Sequence, residues 1–381
     1  MLTLMRSAGQ KASFEAAAPS IGSDGGSRES MEVFVHPGEF PVDVQQFFAS
    51  SETTSIELGA TWYHNLVDAV YQNHPGVRFY VLRRGGLPIA ALPVLVEQAS
   101  LAKHLHSLAN YYSALYAPVI AAEAGADELA RLIRFIRFKN APLASFKFAP
   151  MDPDATSYCR LHDALKLAGL APFSFFCFGN WFLPVESSWP AYLASRDGVL
   201  RSTIKRMAKK FVNAGGVLEL IQGGDQLERG LVAYERVYAA SWKVAEPFQK
   251  FMPGLMRACA GRGWLRLGVA WLGSEPIAAQ LWIVANGKAS IYKLAYDENQ
   301  KAYAPGTLLT AMLMQHVIEK DGIAEIDYLI GDDPYKKSWM TKRRERWGLV
   351  AYNPWALAGL YGLGREVMGR TLKLLMSTVK K

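Results

Sequence analysis

The chain has 381 residues, half of them apolar and a fifth charged, the balance of a globular protein with ample material for packed cores. At about 150 residues per domain, this length predicts two packed units. No window holds the ~18 uncharged apolar residues of a membrane-spanning helix, and charges stand where a secretory signal would carry its apolar stretch, so a cytoplasmic chain is expected. Cys159, Cys177 and Cys259 are odd in number, widely spaced and in no CxxC pair. That excludes a readable disulfide framework or zinc ribbon and leaves reduced structural thiols.

Residues 1–30 are rich in Ala, Gly and Ser without a sustained period and read as a disordered leader. A strand-like run from Glu32 to His36 opens a first set of elements that extends to about residue 180. Within it, Arg78 to Leu82 alternates as a strand does, Gly85-Gly86 turns, and Pro88-Ile89-Ala90-Ala91 leads into an apolar strand through Val96. Tyr116-Ala117-Pro118 is followed by a helical pattern (Leu129, Leu132, Ile133, Ile136) and a strand from Ala144 to Ala149. Next comes a helix with Leu200, Ile204, Met207 and Phe211 at helical spacing and the bases Arg201, Lys205, Arg206, Lys209 and Lys210.

The second set, 181–352, repeats the first. Leu265 to Leu272, a turn at Gly273-Ser274 and Pro276-Ile277-Ala278-Ala279 form a hairpin with the same four-residue opening, displaced by 188 residues. Tyr303-Ala304-Pro305 precedes a helix (Leu308, Leu309, Met312, Leu313, Val317) and a strand from Glu325 to Ile330, displaced by 187. Two ordered matches at nearly one displacement imply a duplicated unit of hairpin, strand, helix and strand.

The +8 formal charge is localised, which points to anion-facing surfaces. The basic helix carries +5, Lys336 to Arg346 nets +5 and the tail from Arg365 nets +4, leaving the rest net negative by six. The tail reads as a basic amphipathic helix, which either lies on an anionic membrane or docks on a core. After Tyr-Ala-Pro the first copy has Val119, whereas the second has Gly306-Thr307. A strand (Ser290 to Tyr296), a tight Pro-Gly turn and a helix with free N–H groups make an anion cradle, so only the second copy is equipped for a phosphorylated ligand. The following strand ends in Gly331-Asp332-Asp333-Pro334-Tyr335-Lys336, which should face that cradle. A carboxylate there can accept a proton, Tyr335 can donate one, and Lys336 can hold a phosphate or oxyanion.

Tyr292 to Asp297, Tyr303 to Leu309, Ile326 to Asp332, Tyr335-Lys336 and Trp339, with Ser241-Trp242-Lys243 and Pro276-Ile277-Ala278, resemble the GNAT-type acyltransferases of the BioF2-like group, which includes the CelD proteins associated with cellulose and exopolysaccharide synthesis. The resemblance covers residues 180–350 well and the first half weakly. It implies an α+β fold of tandem GNAT-like modules, each a mixed, mostly antiparallel sheet flanked by helices, as in the FemAB aminoacyl transferases. The expected division is 31–180, degenerate; 181–352, acyltransferase; and 353–381, basic helix. The implied activity is transfer of an acetyl or longer acyl group from acyl-CoA to an amine or hydroxyl, on a saccharide or lipid-linked precursor, without a metal. The strands flanking the motif helix would splay apart around the donor. Tyr303, Gly306 and Thr307 would hold its pyrophosphate, and Leu294 to Tyr296 would flank its pantetheine arm. Asp332, Tyr335 and Lys336 are the expected catalytic residues, as proton acceptor, thiolate donor and charge stabiliser. Trp242, Lys243, Gln280 and Trp339 are expected to bind acceptor. Only one glycine stands where GNAT pyrophosphate loops usually have two small residues. Aminoacyl-tRNA, which FemAB proteins use and which suits the basic helix, therefore remains open as donor, as does a non-catalytic scaffold binding a synthase or a membrane surface.

Other motifs lack context. His104 and His106 have ligand spacing without a third ligand nearby in sequence, Gly359-x-x-Gly362-x-Gly364 follows no strand, and no GxxxxGK[ST] or GxSxG occurs.

Overall fold

The computed structural model describes residues 28–99 and 102–379. The leader expected over 1–30 lies outside the described residues as far as residue 27, and Glu29 and Ser30 already belong to a strand. The first half runs β1 (Glu29–Phe34), α1 (Val42–Glu52), α2 (Ala60–Val70), β2 (Val77–Arg84), β3 (Leu87–Ala99), β4 (Ala102–Ser107), β5 (Val119–Ile120), α3 (Ala126–Lys139), β6 (Leu143–Met151), α4 (Thr156–Leu167) and β7 (Ala171–Pro184). The second adds α5 (Trp189–Ala194) and α6 (Gly198–Asn213), then repeats the succession: β8 (Gly216–Ile221), α7 (Leu227–Ala239), α8 (Phe251–Gly261), β9 (Leu265–Leu272), β10 (Glu275–Ala285), β11 (Lys288–Tyr296), α9 (Pro305–Glu319), β12 (Glu325–Asp327), α10 (Lys336–Trp339) and β13 (Lys342–Tyr352). The chain closes on α11 (Leu357–Val379).

The fold is mixed α+β. The two sheets expected of tandem modules are one mostly antiparallel sheet, ordered β1-β2-β3-β4-β6-β13-β7-β12-β11-β10-β9-β8, with β5 on β3. Among the named strands, only β4 with β6 and β11 with β12 pair in parallel. The halves exchange their last strands. β7 leaves the first half to pair with β12, while β13 returns from the second to pair with β6, and the two run antiparallel along each other. The boundary expected between residues 180 and 181 falls inside β7.

Both sheet faces are covered, so the run expected to alternate from Arg78 is apolar on both faces from Phe79 to Leu82, and alternate residues serve different cores. Phe79 and Val81 join a cluster with Phe48 and Tyr63, and Tyr80 and Leu82 join another with Leu132 and Ile133. The first cluster also contains Tyr234, Phe251, Leu267 and Leu281 from the second half, so one core crosses the chain's midpoint. Trp62 of α2 meets Phe251 of α8 edge to face at 5.5 Å. Burying each such side chain contributes about 1.5–3 kcal/mol, and those contributions weld the halves together.

Asp327, the last residue of β12, is 1% exposed at the centre of the sheet. Its carboxylate meets Lys288 Nζ at 2.9 Å and Arg344 at 2.5 Å, and accepts from Asn180 Nδ2 at 2.6 Å and Leu329 N–H at 2.7 Å. Burial alone would raise its pKa, but Lys288 and Arg344 outweigh that and hold it well below the usual carboxylate range. Asp327→Ala would leave the half-buried Lys288 and Arg344 with Glu325 alone and strand two hydrogen-bond donors, at a cost of about 1–3 kcal/mol per donor in chemical unfolding. A loss below about 1 kcal/mol would remove this network from the account of the fold.

Candidate active site

β11 and β12 pair over only three residues, Lys288 to Ser290 against Glu325 to Asp327, and then part. β11 continues along β10 to Tyr296, with a bulge at Tyr292 where Leu281 pairs Lys293 and Trp282 pairs Ile291. Beyond β12 the chain follows β7 instead: Tyr328 N–H donates to Trp181 O at 2.9 Å, Leu329 turns at φ 54°, and Gly331 bridges to Asn180. The strand expected from Glu325 to Ile330 therefore ends at Asp327, where that side chain captures the Leu329 amide. The gap holds a cavity of about 240 Å³, enough for several waters or a reacting group. Past Ser290 the edge of β11 has no strand partner on this side among the described residues, so its outward N–H groups face the gap.

At the open end of β11 lies the start of α9. The left-handed backbone at this turn falls on Ala304 (φ 49°), while Gly306 has no such angle. A Cβ at 306 would meet Tyr296 Cδ1 at 3.4 Å, so the glycine leaves space rather than relieving the backbone. Leu308 N–H bonds Ala304 O, Pro305 has no N–H, and the amides of Gly306 and Thr307 have no partner among the described residues. Lys210 of the basic helix α6 reaches this end, donating to Ala302 O at 2.9 Å with its ammonium 5.1 Å from the Tyr303 ring. The other bases of that helix are exposed while Phe211 is buried, as the sequence pattern predicts. Trp242 packs on Tyr296 at 4.7 Å and Lys243 lines the cavity, linking the cradle to the gap.

The loop after β12 does not present its three functional candidates equally. Tyr335 and Lys336 line the cavity. Tyr335 is 46% exposed, yet its partial burial pushes the phenol up, so it stays protonated and able to donate. Lys336 is 4% exposed and spends its donors on Ile330 O (2.5 Å), Gly331 O (3.3 Å) and Asp333 (3.2 Å). Burial lowers its pKa, against the pull of Asp333, and its geometry is that of a clamp on the loop. Asp332 is not among the lining residues. Arg343 grips it at 2.8 Å and Trp181 Nε1 donates to it at 2.6 Å, holding its pKa down and making it a weak proton acceptor. Gln280 and Trp339 also lie elsewhere, because both are core residues. Gln280 Nε2 donates to Gly306 O at 2.8 Å and Thr310 at 2.9 Å, tying α9 to β10, and Trp339 is buried beside Tyr192.

Residues 199–337 match the family model of the acetyltransferase (GNAT) domain. The matched segment runs from α6 to α10 and contains the parted strands, the α9 start and most of the cavity lining. The crystal structure of FemX aligns with a TM-score of 0.59 at 11% identity, over 84% of this chain and 97% of that one, so the fold is shared. L-PGS from Bacillus licheniformis aligns at 0.46 and 12% identity, over 70% and 81% of the two chains. A tandem GNAT protein from the clavulanic acid biosynthesis pathway aligns at 0.44 and 12%, over 84% and 98%. No curated protein sequence matches the chain.

The cavity of the GNAT-matching segment is closed by the first half, through a loop that sequence reasoning left unplaced. Tyr111, Tyr112 and Ala114 line it. Tyr292 OH donates to Tyr112 O at 2.7 Å, Tyr112 OH donates to Glu246 at 2.7 Å, and Lys293 pairs with Glu246 at 2.9 Å while facing the Tyr111 ring at 4.5 Å. Burial raises the Glu246 pKa, but Lys293 and Tyr112 more than offset it, and the net shift is downward. Burial lowers Lys243, with help from Lys293, and Lys243 has no carboxylate within 4 Å among the described residues. The adjacent Tyr111-Tyr112 pair in a loop was the available signal. Glu57 was also missed: it is 5% exposed, accepts from Ala114 N–H at 2.9 Å, and burial pushes its pKa up to about 7. Away from this region, His36, His64 and Asp68 have metal-ligand types in reach of one another. His36 Nδ1 accepts from Gly38 N–H, which leaves Nε2 carrying the proton toward Asp68 rather than a lone pair for a metal.

A carboxyl whose folded pKa is raised contributes stability below its unfolded value and loses it as pH rises through the folded value. Between an ordinary 4.5 and about 7, ionising Glu57 costs the fold about 3 kcal/mol. Glu57→Gln should therefore gain on the wild type by up to about that amount between pH 5 and pH 8 in urea unfolding. A difference that stays flat across that range would show that this carboxyl is not perturbed.

Proposed function

We propose that the chain transfers an acyl group from an acyl-CoA thioester to an amine or hydroxyl acceptor in the gap between β11 and the segment after β12. The observation that carries this reading is the parting of two parallel strands around a cavity, with β11 running on from it to Tyr296 beside Gly306, whose amide, like that of Thr307, has no partner among the described residues. The GNAT match over this segment supports it. The diphosphate would sit on the Gly306 and Thr307 amides beside Tyr303 and Lys210, and the pantetheine arm along Leu294 to Tyr296. That places the thioester in the cavity, where an edge amide of β11 can bind the developing oxyanion and Tyr335 can protonate the departing thiolate. Asp332 and Lys336 hold the loop in place, and Lys243 beside Trp242 meets an acidic group of the acceptor. A saccharide or lipid-linked precursor in envelope or exopolysaccharide synthesis is the acceptor class that the sequence resemblance favours.

One observation favours a second donor. The exposed bases Arg201, Lys205, Arg206 and Lys209 stand on α6, which packs along α9 and brings Lys210 to its start, a surface suited to the phosphates of aminoacyl-tRNA. Calorimetry separates the two: saturable binding of acetyl-CoA or long-chain acyl-CoA supports the first reading, and steeply salt-dependent tRNA binding supports the second. Neither ligand binding would sink both. Gly306→Val should fold normally yet weaken acyl-CoA binding at least about tenfold, and Tyr335→Phe should bind donor normally with turnover lowered about 100-fold. Unchanged affinity in the first variant would relocate the cradle, and unchanged turnover in the second would remove Tyr335 from the chemistry.

α11 packs its N-terminal end on β6 and β13 and exposes Leu360, Tyr361, Val367, Met368 and Leu372 among Arg365, Arg370 and Lys373. We assign this face to an anionic membrane surface, where a lipid-linked acceptor would be met. The chain should sediment with vesicles containing phosphatidylglycerol and not with neutral ones, and lose that binding when Met368 and Leu372 become Ser. Equal recovery with both vesicle types would discard the assignment.

A further inference from the structure

Acyl transfer needs an acceptor for the proton of the attacking group, and the carboxylates around the cavity differ in availability. Glu246 is engaged by Lys293 and Tyr112, Asp333 by Lys336, Asp332 by Arg343, and Asp327 by Lys288 and Arg344. A cation beside each favours its charged form and weakens it as a proton acceptor. Glu57 is different. It has no ion-pair partner within 4 Å among the described residues, and backbone amides at Ala114 and Leu115 are what hold it. It lines a second cavity of about 20 Å³, room for one water, formed with Ser290, Asn180 and Arg346. Ala114, Tyr292 and Leu329 line both this cavity and the larger one, so the two adjoin.

We propose that Glu57, supplied by the first half of the chain, accepts the proton of the attacking group through a water in the small cavity. The inference rests on the acyl-transfer reading above. In the step, the acceptor's nitrogen or oxygen bonds to the thioester carbonyl carbon, and the carbon–sulfur bond breaks with its electron pair going to sulfur. The proton on the attacking atom passes to the water, which gives one to the Glu57 carboxylate. Sulfur takes a proton from the Tyr335 phenol, and exchange with solvent returns Tyr335 and Glu57 to their starting states.

Several groups face Glu57 from the elements packed around it: Tyr63 from α2, Lys288 and Tyr292 from β11, Asp327 from β12 and Arg346 from β13. Lys288 and Arg346 favour the carboxylate, while Asp327 and burial favour the acid. The balance puts the group where it can gain and lose a proton near neutrality. A purely structural role would be to hold the loop carrying Tyr111 and Tyr112 by its Ala114 amide. Glutamine would do that equally well, since its carbonyl accepts the same bond.

The test compares the full chain with Glu57→Gln, using acetyl-CoA or aminoacyl-tRNA as donor and an amine-bearing saccharide as acceptor. Infrared titration of the unliganded protein should show a carboxyl that ionises near neutral pH and is missing from the variant. Wild-type kcat should rise through the same pH range. Glu57→Gln should lower kcat about 100-fold and flatten that limb while leaving donor KM unchanged. A variant with wild-type kcat and the same pH limb, or no carboxyl titrating between about pH 6 and 8, would overturn the proton route alone. A wild-type chain that transfers from neither donor would instead overturn the acyl-transfer reading and this inference with it.

Discussion

The structure depends on one buried negative charge. Asp327 sits where four strands converge, neutralised by Lys288 from β11 and Arg344 from β13 and hydrogen-bonded to Asn180 from β7. Its remaining lone pairs take the Leu329 amide and end β12 there. A longer β12 would stay zipped to β11 and fill the gap with backbone. The charge that fastens the sheet therefore also decides where the sheet opens. The desolvation cost of such a group is large, and it is tolerated because each of its oxygens is satisfied.

Around that point the two halves are interlocked twice. Their last strands are exchanged, and one apolar core spans α1, α2, α7 and α8. The cavity inherits this arrangement. Its floor and loop come from the GNAT-matching segment and its wall residues Tyr111 and Tyr112 from the other copy, which also supplies Glu57 to the small cavity beside it. A first half lacking a phosphate cradle still furnishes a wall and an ionisable group.

Much of this was legible in the sequence, for physical reasons. The paired hairpins, the amphipathic α6 and the turn before α9 are local features, and local periodicity and turn chemistry report them directly. The exchange of β7 and β13 was not legible, because which strand a segment pairs with depends on contacts across nearly 170 residues. Asp332 and Lys336 looked alike as candidates because sequence shows a residue's type and not its partners. Arg343, eleven positions on, neutralises the first, and backbone carbonyls absorb the second. Gln280 and Trp339 illustrate the same limit, their polar and aromatic groups being spent inside the core. Glu57 lay beyond reach altogether, since a lone glutamate in a short 3-10 turn carries no sign that it will be buried.

The unbroken sheet has a mechanical corollary. A protein whose two lobes meet at a flexible joint can admit a bulky reactant by swinging them apart, but here any such swing would tear hydrogen bonds along the full length of β7 and β13. The segment bearing Tyr111 and Tyr112 adds to that stiffness, because Tyr112 stacks on Phe251 at 3.9 Å in the core and polar contacts at Tyr292, Glu246 and Lys293 moor it to the opposite lobe. The paired strands and the buried ring of Tyr112 thus hold the walls of the cavity at one spacing, as a frame holds a window.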